Sequence, residues 1–269
     1  MEKAYKYRIY PNKKQKEIIT KTFGCCRFVY NKYLVKRIEM YEQNKETFSY
    51  VKCAKDLTKL KSELEWLKEV DSTALQSSLK DLDSAYQKFF KEHTGYPKFK
   101  SKKIHRFSYK SKCVNSNIQY CDRYIKLPKL GMVKTKNKLV PQGRILNATV
   151  SQEPSGKYYV SLCCTDVGIK PFDKVGNVVG IDLGIKEFCI TSDGEMIPNP
   201  KYLKKSLGKL AKLQRELSRK SKGSSNRNKA KIKVTRLHEL SQIREKISYI
   251  SCLLKLLETM MWYVLKICK

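Results

Sequence analysis

Polar and apolar positions alternate from the start of the chain. In "AYKYRIYP", Tyr and Ile fall at every second place between Lys and Arg, the period of a half-buried strand, and Pro11 stops it. From Lys13 to about Tyr41 the spacing changes. Ile18, Ile19, Phe23, Phe28, Val29, Leu34, Val35 and Ile38 recur at steps of three and four, which predicts helix with a break at Gly24. A further helix is expected from near Ser49 through Leu57, Leu60, Leu64 and Leu67. Asp71-Ser72 offers an N-cap to "TALQSSLKDLDSAYQKFFKE", where Leu75, Leu79, Leu82, Ala85, Tyr86, Phe89 and Phe90 form an apolar face suited to core packing. Gly95 and Pro97 end that helix. Residues 104–167 read as short strands, with hairpins in "YIKLPKLGMVKTK" and "ILNATVSQEPSGKYYVSLCCTDV" that suit an antiparallel sheet or barrel. Asp166 to Gly176 reads as a linker. "GNVVGIDLGIKEFCITSDG" then gives two strands joined near Lys186-Glu187. From Lys201 the pattern is helical, with a loop "SKGSSNRNK" and a long helix from Ala230.

Charge changes the picture. The 269 residues carry 57 Lys and Arg against 25 acids, a formal net charge of +32. Such an excess repels itself unless a polyanion is near, and its spread along the whole chain favours a long nucleic-acid footprint over one membrane-binding patch. The densest mixture is "HTGYPKFKSKKIHRFSYKSK". There Lys98, Lys100, Lys102, Lys103, Arg106 and Lys110 interleave with Tyr96, Phe99, Phe107 and Tyr109: cations to grip phosphates, rings to stack on bases. Gln76 and Lys80, on the polar face of the preceding helix, extend this candidate interface. So do Lys6 and Arg8 of the first strand, and Lys220 and Arg227 flanking the loop between the basic helices. The ten cysteines include no CxxC pair, so neither a zinc knuckle nor a disulfide framework is expected, and buried reduced thiols fit best. The opening "MEKAYKYRIYPNKKQ" has no apolar signal region, which points to a cytoplasmic, nucleoid-associated protein with no membrane partner.

The candidate chemistry centres on Asp182, a lone acid between Ile181 and Leu183 with Gly180 and Gly184 outside them. Phosphodiester hydrolysis by two divalent ions about 4 Å apart requires several converging carboxylates. One Asp cannot hold two ions.

Taken together, "KYRIYPNKKQKEIITKTFGCCRFVYNKYL", "WLKEVDSTALQSSLKDLDSAYQKFF", "GYPKFKSKK", "GIDLGIKEFCITSDG" and "KLQRELSRKSKGSSNRNKAKIKVTRLHELSQIREK" resemble, in order, the TnpB/OrfB family of insertion-sequence transposases, over residues 1 to about 248. The resemblance implies an α+β fold. Residues 1–12 and 104–170 would form a β-barrel (wedge) domain. Residues 13–103 would be an inserted helical bundle, with the family's helix-turn-helix at its start. Residues 176–269 would form an incomplete RNase H-like (RuvC) α/β domain. It also implies descent from RNA-guided DNA endonucleases related to type V CRISPR effectors. The partners would be a guide RNA from the transposon end and double-stranded DNA, the cofactor Mg²⁺, and the first catalytic and metal-binding carboxylate Asp182. The family's second carboxylate is a Glu in an Ile-Glu-Asp or Ile-Glu-Asn strand after the long helix. The third is an Asp beyond a zinc ribbon.

Those later elements are missing. The acids after Asp182 are Glu187, Asp193, Glu195, Glu216, Glu239, Glu245 and Glu258, none in a second buried strand, and the paired CxxC motifs are absent. The tail "YISCLLKLLETMMWYVLKICK" is apolar, but Lys255 and Glu258 interrupt it as a membrane span. Read one base earlier, Met260-Met261, Met261-Trp262 and Trp262-Tyr263 force Asp, Val and Val. Permitted codons then continue to Ile-Glu-Asp-Leu, with the Glu at the place of Lys266. The expectation is a frameshifted, truncated copy that binds RNA and DNA without a complete active site, its sheet left with an unpaired edge. Two alternatives stand beside it: a cleavage-dead RNA-guided repressor, and a basic RNA-binding scaffold.

Overall fold

Strand β1 (Lys3–Tyr10) sets the frame of the first unit because its alternation is realised in burial: Tyr5, Tyr7 and Ile9 are buried while Lys6, Arg8 and Tyr10 face out. The computed structural model describes residues 1–45, 48–102, 107–168, 178–184, 186–259 and 262–266. The chain divides into two units, Met1–Gly168 and Ile169–Lys269.

In the first unit, helix α1 (Lys13–Asn44) follows β1 through a capping box in which Asn12 and Gln15 satisfy each other's backbone donors. The Gln15 side chain also donates to the carbonyls of Leu130 and Met132, tying the helix start to the sheet. α1 is unbroken, contrary to the break expected at Gly24. A helical glycine costs about 1 kcal/mol relative to alanine, and the buried neighbours Phe23, Cys25 and Cys26 hold the turn in place. Helix α2 (Tyr50–Glu63) is capped by Ser49, and a 3-10 turn (Glu65–Lys68) leads to α3 (Ser72–Glu92), capped by Asp71 as its sequence predicts. Asp71 is buried and accepts from the Thr73 amide, the Thr73 hydroxyl and the Ser111 hydroxyl, which joins α3 to strand β2 (Phe107–Lys112).

The remaining strands are β3 (Gln119–Cys121), β4 (Tyr124–Leu127), β5 (Gly131–Thr135), β6 (Arg144–Gln152) and β7 (Tyr158–Thr165). They form one antiparallel sheet in the order β2-β6-β7-β1-β5-β4-β3. β4–β5 and β6–β7 are the two hairpins that the turn residues indicate; Gly156, at φ +81°, makes the second turn possible. The expected barrel is not closed: among the described residues no ladder joins β2 to β3. β3 is three residues long, with left-handed backbone at Asn115 and Ser116 before it and at Asp122 and Arg123 after it. The sheet nevertheless coils. The Tyr120 ring of β3 lies 5.6 Å from that of Tyr7 on β1, although two strands separate them in the sheet.

The second unit has a four-stranded sheet, β10-β9-β8-β11, made from β8 (Val178–Leu183), β9 (Glu187–Thr191), β10 (Met196–Pro198) and β11 (Trp262–Lys266). Helices α4 (Tyr202–Ser218) and α5 (Ser225–Thr259) form an antiparallel pair. Glu245 accepts from the Leu203 amide at the start of α4, and Ser241 donates to Ser206. The Phe188 and Tyr249 rings stack at 4.4 Å, fixing α5 to β9. Within the apolar tail, β11 pairs parallel to β8. The linker expected over 166–176 lies outside the described residues from 169 onward.

Candidate nucleic-acid interface and carboxylate site

The segment 94–102 has no regular hydrogen-bonding of its own and is held from below. Asn31 on α1 donates from Nδ2 to the Lys100 carbonyl at 3.0 Å and accepts from the Lys100 amide at 2.8 Å. Pro97 is buried, and the Tyr96 and Tyr86 hydroxyls are hydrogen-bonded at 2.8 Å. The Lys100 ammonium sits 4.1 Å from the Tyr30 ring centre and 3.8 Å from Asp81. It therefore serves partly as an anchor, while Lys98, Phe99 and Lys102 are exposed along the strap. Gln76 and Lys80 are exposed one turn apart on α3. Lys103 and Arg106 lie outside the described residues.

Lys6 and Arg8 occupy the outward face of β1. Lys6 pairs with Glu153 at 3.5 Å and lies over the Tyr159 ring; Arg8 lies over Tyr10. The ladders extend this face in rows. Lys110 is opposite Thr149, Thr149 opposite Ser161, and Ser161 opposite Lys6. Lys134 stands between Tyr10 and Tyr124. Lys110 belongs to the basic, aromatic segment picked out from the sequence, whereas Lys134 was not singled out there, although the period-2 alternation in β5 marks it once the outward face is known.

Arg227 meets the Lys220 backbone at the end of α4, while the Lys220 side chain is exposed. The Arg227 guanidinium donates to the carbonyls of Leu217 and Lys220 at 3.0 and 2.9 Å, capping the helix C-terminus where a cation is favoured.

Asp182 lies in β8, opposite Ile190 of β9, with an exposed side chain. Its carboxylate is near the buried Cys189 thiol. Burial raises that thiol's pKa first, with Cys252, Glu195 and Asp182 adding to the effect. Glu187 opens β9, and Asp193 accepts from Ser192 in the turn beyond it. Among the described residues no three His, Cys, Asp or Glu side chains could hold one metal ion. The neighbour of Asp182 on the other side, by strand register, is Lys266 of β11. No helix among the described residues is long and apolar enough to cross a membrane.

Fold and site define a strongly basic α+β protein: a helix-covered antiparallel sheet, then a smaller sheet presenting one acid mid-strand. Residues 1–46 match the helix-turn-helix domain of OrfB from IS605, although here they form one strand and one continuous helix. Residues 160–246 match the OrfB "probable transposase". The chain belongs to the OrfB (TnpB) family of insertion-sequence proteins. It is 37% identical over 243 residues to a Streptomyces pristinaespiralis protein named as a candidate RNA-guided DNA endonuclease, covering 88% of this chain and 60% of that one. It is 35% identical over 240 residues to InsQ of Escherichia coli K12, named likewise, covering 87% and 58%. The chain therefore spans about three fifths of the length of these curated relatives. A cryo-EM structure of Cas12f1 with its sgRNA and target DNA shares the fold at TM-score 0.52 and 10% identity, over 92% of this chain and 76% of that one.

Proposed function

We propose that this chain is a transposon-associated protein that binds RNA and double-stranded DNA, and that it acts by occupancy rather than by cutting. The observation that carries the binding half is the strap 94–102: a basic, aromatic segment pinned to α1 through both hydrogen-bonding groups of Asn31. Its relatives' names and the net charge of +32 support the same reading. Lysines held on a fixed backbone neutralise phosphates with little ordering cost, and the released counterions drive association. A guide RNA from the transposon end and a place on the nucleoid follow as parts of this proposal.

The occupancy half rests on Asp182. A metal pair, where bound, activates water and stabilises the leaving oxygen. The described residues supply one such carboxylate, and the register sets a lysine position beside it. Affinity should fall with salt, with a log–log slope near −0.9 per duplex phosphate neutralised. The deciding experiment is a plasmid-cleavage assay with co-purified RNA and Mg²⁺, run beside a version whose reading frame is shifted by one base near codon 249. Retarded but uncut plasmid supports the proposal. Cutting by this chain overturns the occupancy half, and salt-independent binding overturns the electrostatic one.

A further inference from the structure

The C-terminal ends of α1 and α3 and the start of the strap enclose a recess of about 490 Å³, within the range of small-ligand sites, about 300–1,000 Å³. Its wall is formed by Tyr41, Tyr86, Phe89, Phe90, Tyr96 and the Arg37 guanidinium. The rings sit edge to face: Tyr86 and Tyr96 at 5.6 Å and 87°, Phe89 and Tyr96 at 5.3 Å and 81°. Arg37 is buried, lies 5.1 Å from the Tyr86 ring centre and is neutralised by Asp83 at 2.9 Å, so the floor is rigid. The rim is not a sealed core. Phe90 is 68% exposed, Tyr41 58% and Tyr96 45%. An exposed aromatic cluster beside a cationic segment, in a chain of net charge +32, calls for an occupant with an aromatic face and an anionic backbone.

We infer that this recess takes an unpaired nucleobase of a single-stranded stretch whose phosphates run along the strap from Lys98 to Lys102. The inference rests on the nucleic-acid reading above and specifies its ligand. A base inside a duplex has both faces covered by its neighbours and cannot enter; a base in a loop or displaced strand can. Ring faces accept any base, so the recess selects strandedness rather than sequence. Glu42, also on the wall, provides an acceptor for a base amino group.

The test uses the full chain, a fluorescein-labelled single-stranded RNA, the same RNA carrying one 2-aminopurine, and a duplex of equal length. With the wild type, 2-aminopurine fluorescence should be quenched by stacking. Phe90→Ala should weaken single-strand binding by about 5- to 150-fold, the range of one base–aromatic stack. Duplex affinity and the salt slope should not change. Phe90→Tyr should bind as the wild type does and Phe90→Leu as Phe90→Ala does. Full binding by Phe90→Leu would mean generic apolar contact and overturn the stacking claim. Unchanged single-strand binding by Phe90→Ala, with the wild type still bound, overturns the recess assignment and leaves the proposed function intact. A wild type that binds neither probe at low salt overturns both. Because Phe90 is largely exposed, its replacement leaves the core intact, and Tyr96→Phe checks that the Tyr86–Tyr96 hydrogen bond is not what the assay reads.

Discussion

Replacing Asn31 by alanine should release the strap without unfolding the protein. The Asn31 side chain makes two hydrogen bonds to one residue, donating to the Lys100 carbonyl at 3.0 Å and accepting from its amide at 2.8 Å. A typical intramolecular hydrogen bond contributes about 0.5–1.5 kcal/mol net, so the clamp contributes about 1–3 kcal/mol to docking. The buried Pro97, the Tyr86–Tyr96 hydrogen bond and the Lys100–Asp81 pair remain in the variant. The loss should therefore appear as local opening. At 1.4 kcal/mol per tenfold, the open population rises about 5- to 150-fold. Native-state hydrogen exchange reads this directly: the Lys100 amide and its neighbours in 98–102 should exchange faster by that factor, while buried β1 amides should not. Nucleic-acid affinity should fall by no more than the same factor, because opening reduces only the binding-competent fraction. If the strap amides exchange at the wild-type rate in Asn31→Ala, the clamp does not organise this segment and the case for a preformed interface fails.

Gly24→Ala should stabilise the first unit by about 0.5–1 kcal/mol, since an added Cβ meets nothing within 4 Å; a lower urea midpoint would refute the view that α1 is a continuous helix there. Burial, reinforced by Glu69, pushes the Cys25 thiol from its ordinary value of 9.0 up to about 11, and burial pushes Cys26 up to about 12. Below pH 9 both states keep these protons. Between pH 9 and about 11 the unfolded chain loses them first, so stability should fall as pH rises through that window, and Cys25→Ala with Cys26→Ala should flatten the fall in a urea-midpoint series. Arg227→Ala should lower the stability of the second unit by about 1–2 kcal/mol while leaving the salt slope of nucleic-acid binding unchanged; a slope smaller by about one phosphate would return Arg227 to the interface.

Much of the first unit is legible in the amino-acid order because local physics decides it. Alternation in "AYKYRIYP" sets which side of β1 is buried. Asn12, Ser49 and Asp71 mark helix starts because each has a side-chain oxygen to offer an orphan amide. Gly156 marks a turn that needs positive φ. The basic, ring-bearing strap and the lone Asp182 could likewise be picked out by type and spacing. Three features required long-range contacts. Gly24 reads as a break until packing against the sheet and α3 holds α1 straight. The coil of the sheet shows only in the long-range contact of Tyr120 with Tyr7. Asn31 meets Lys100 across 69 residues, and Lys266 meets Asp182 by strand register. Periodicity and side-chain chemistry report what a residue can do within a turn or two of chain. Which distant residue it does it with depends on how the buried faces fit, and only the tertiary structure decides that.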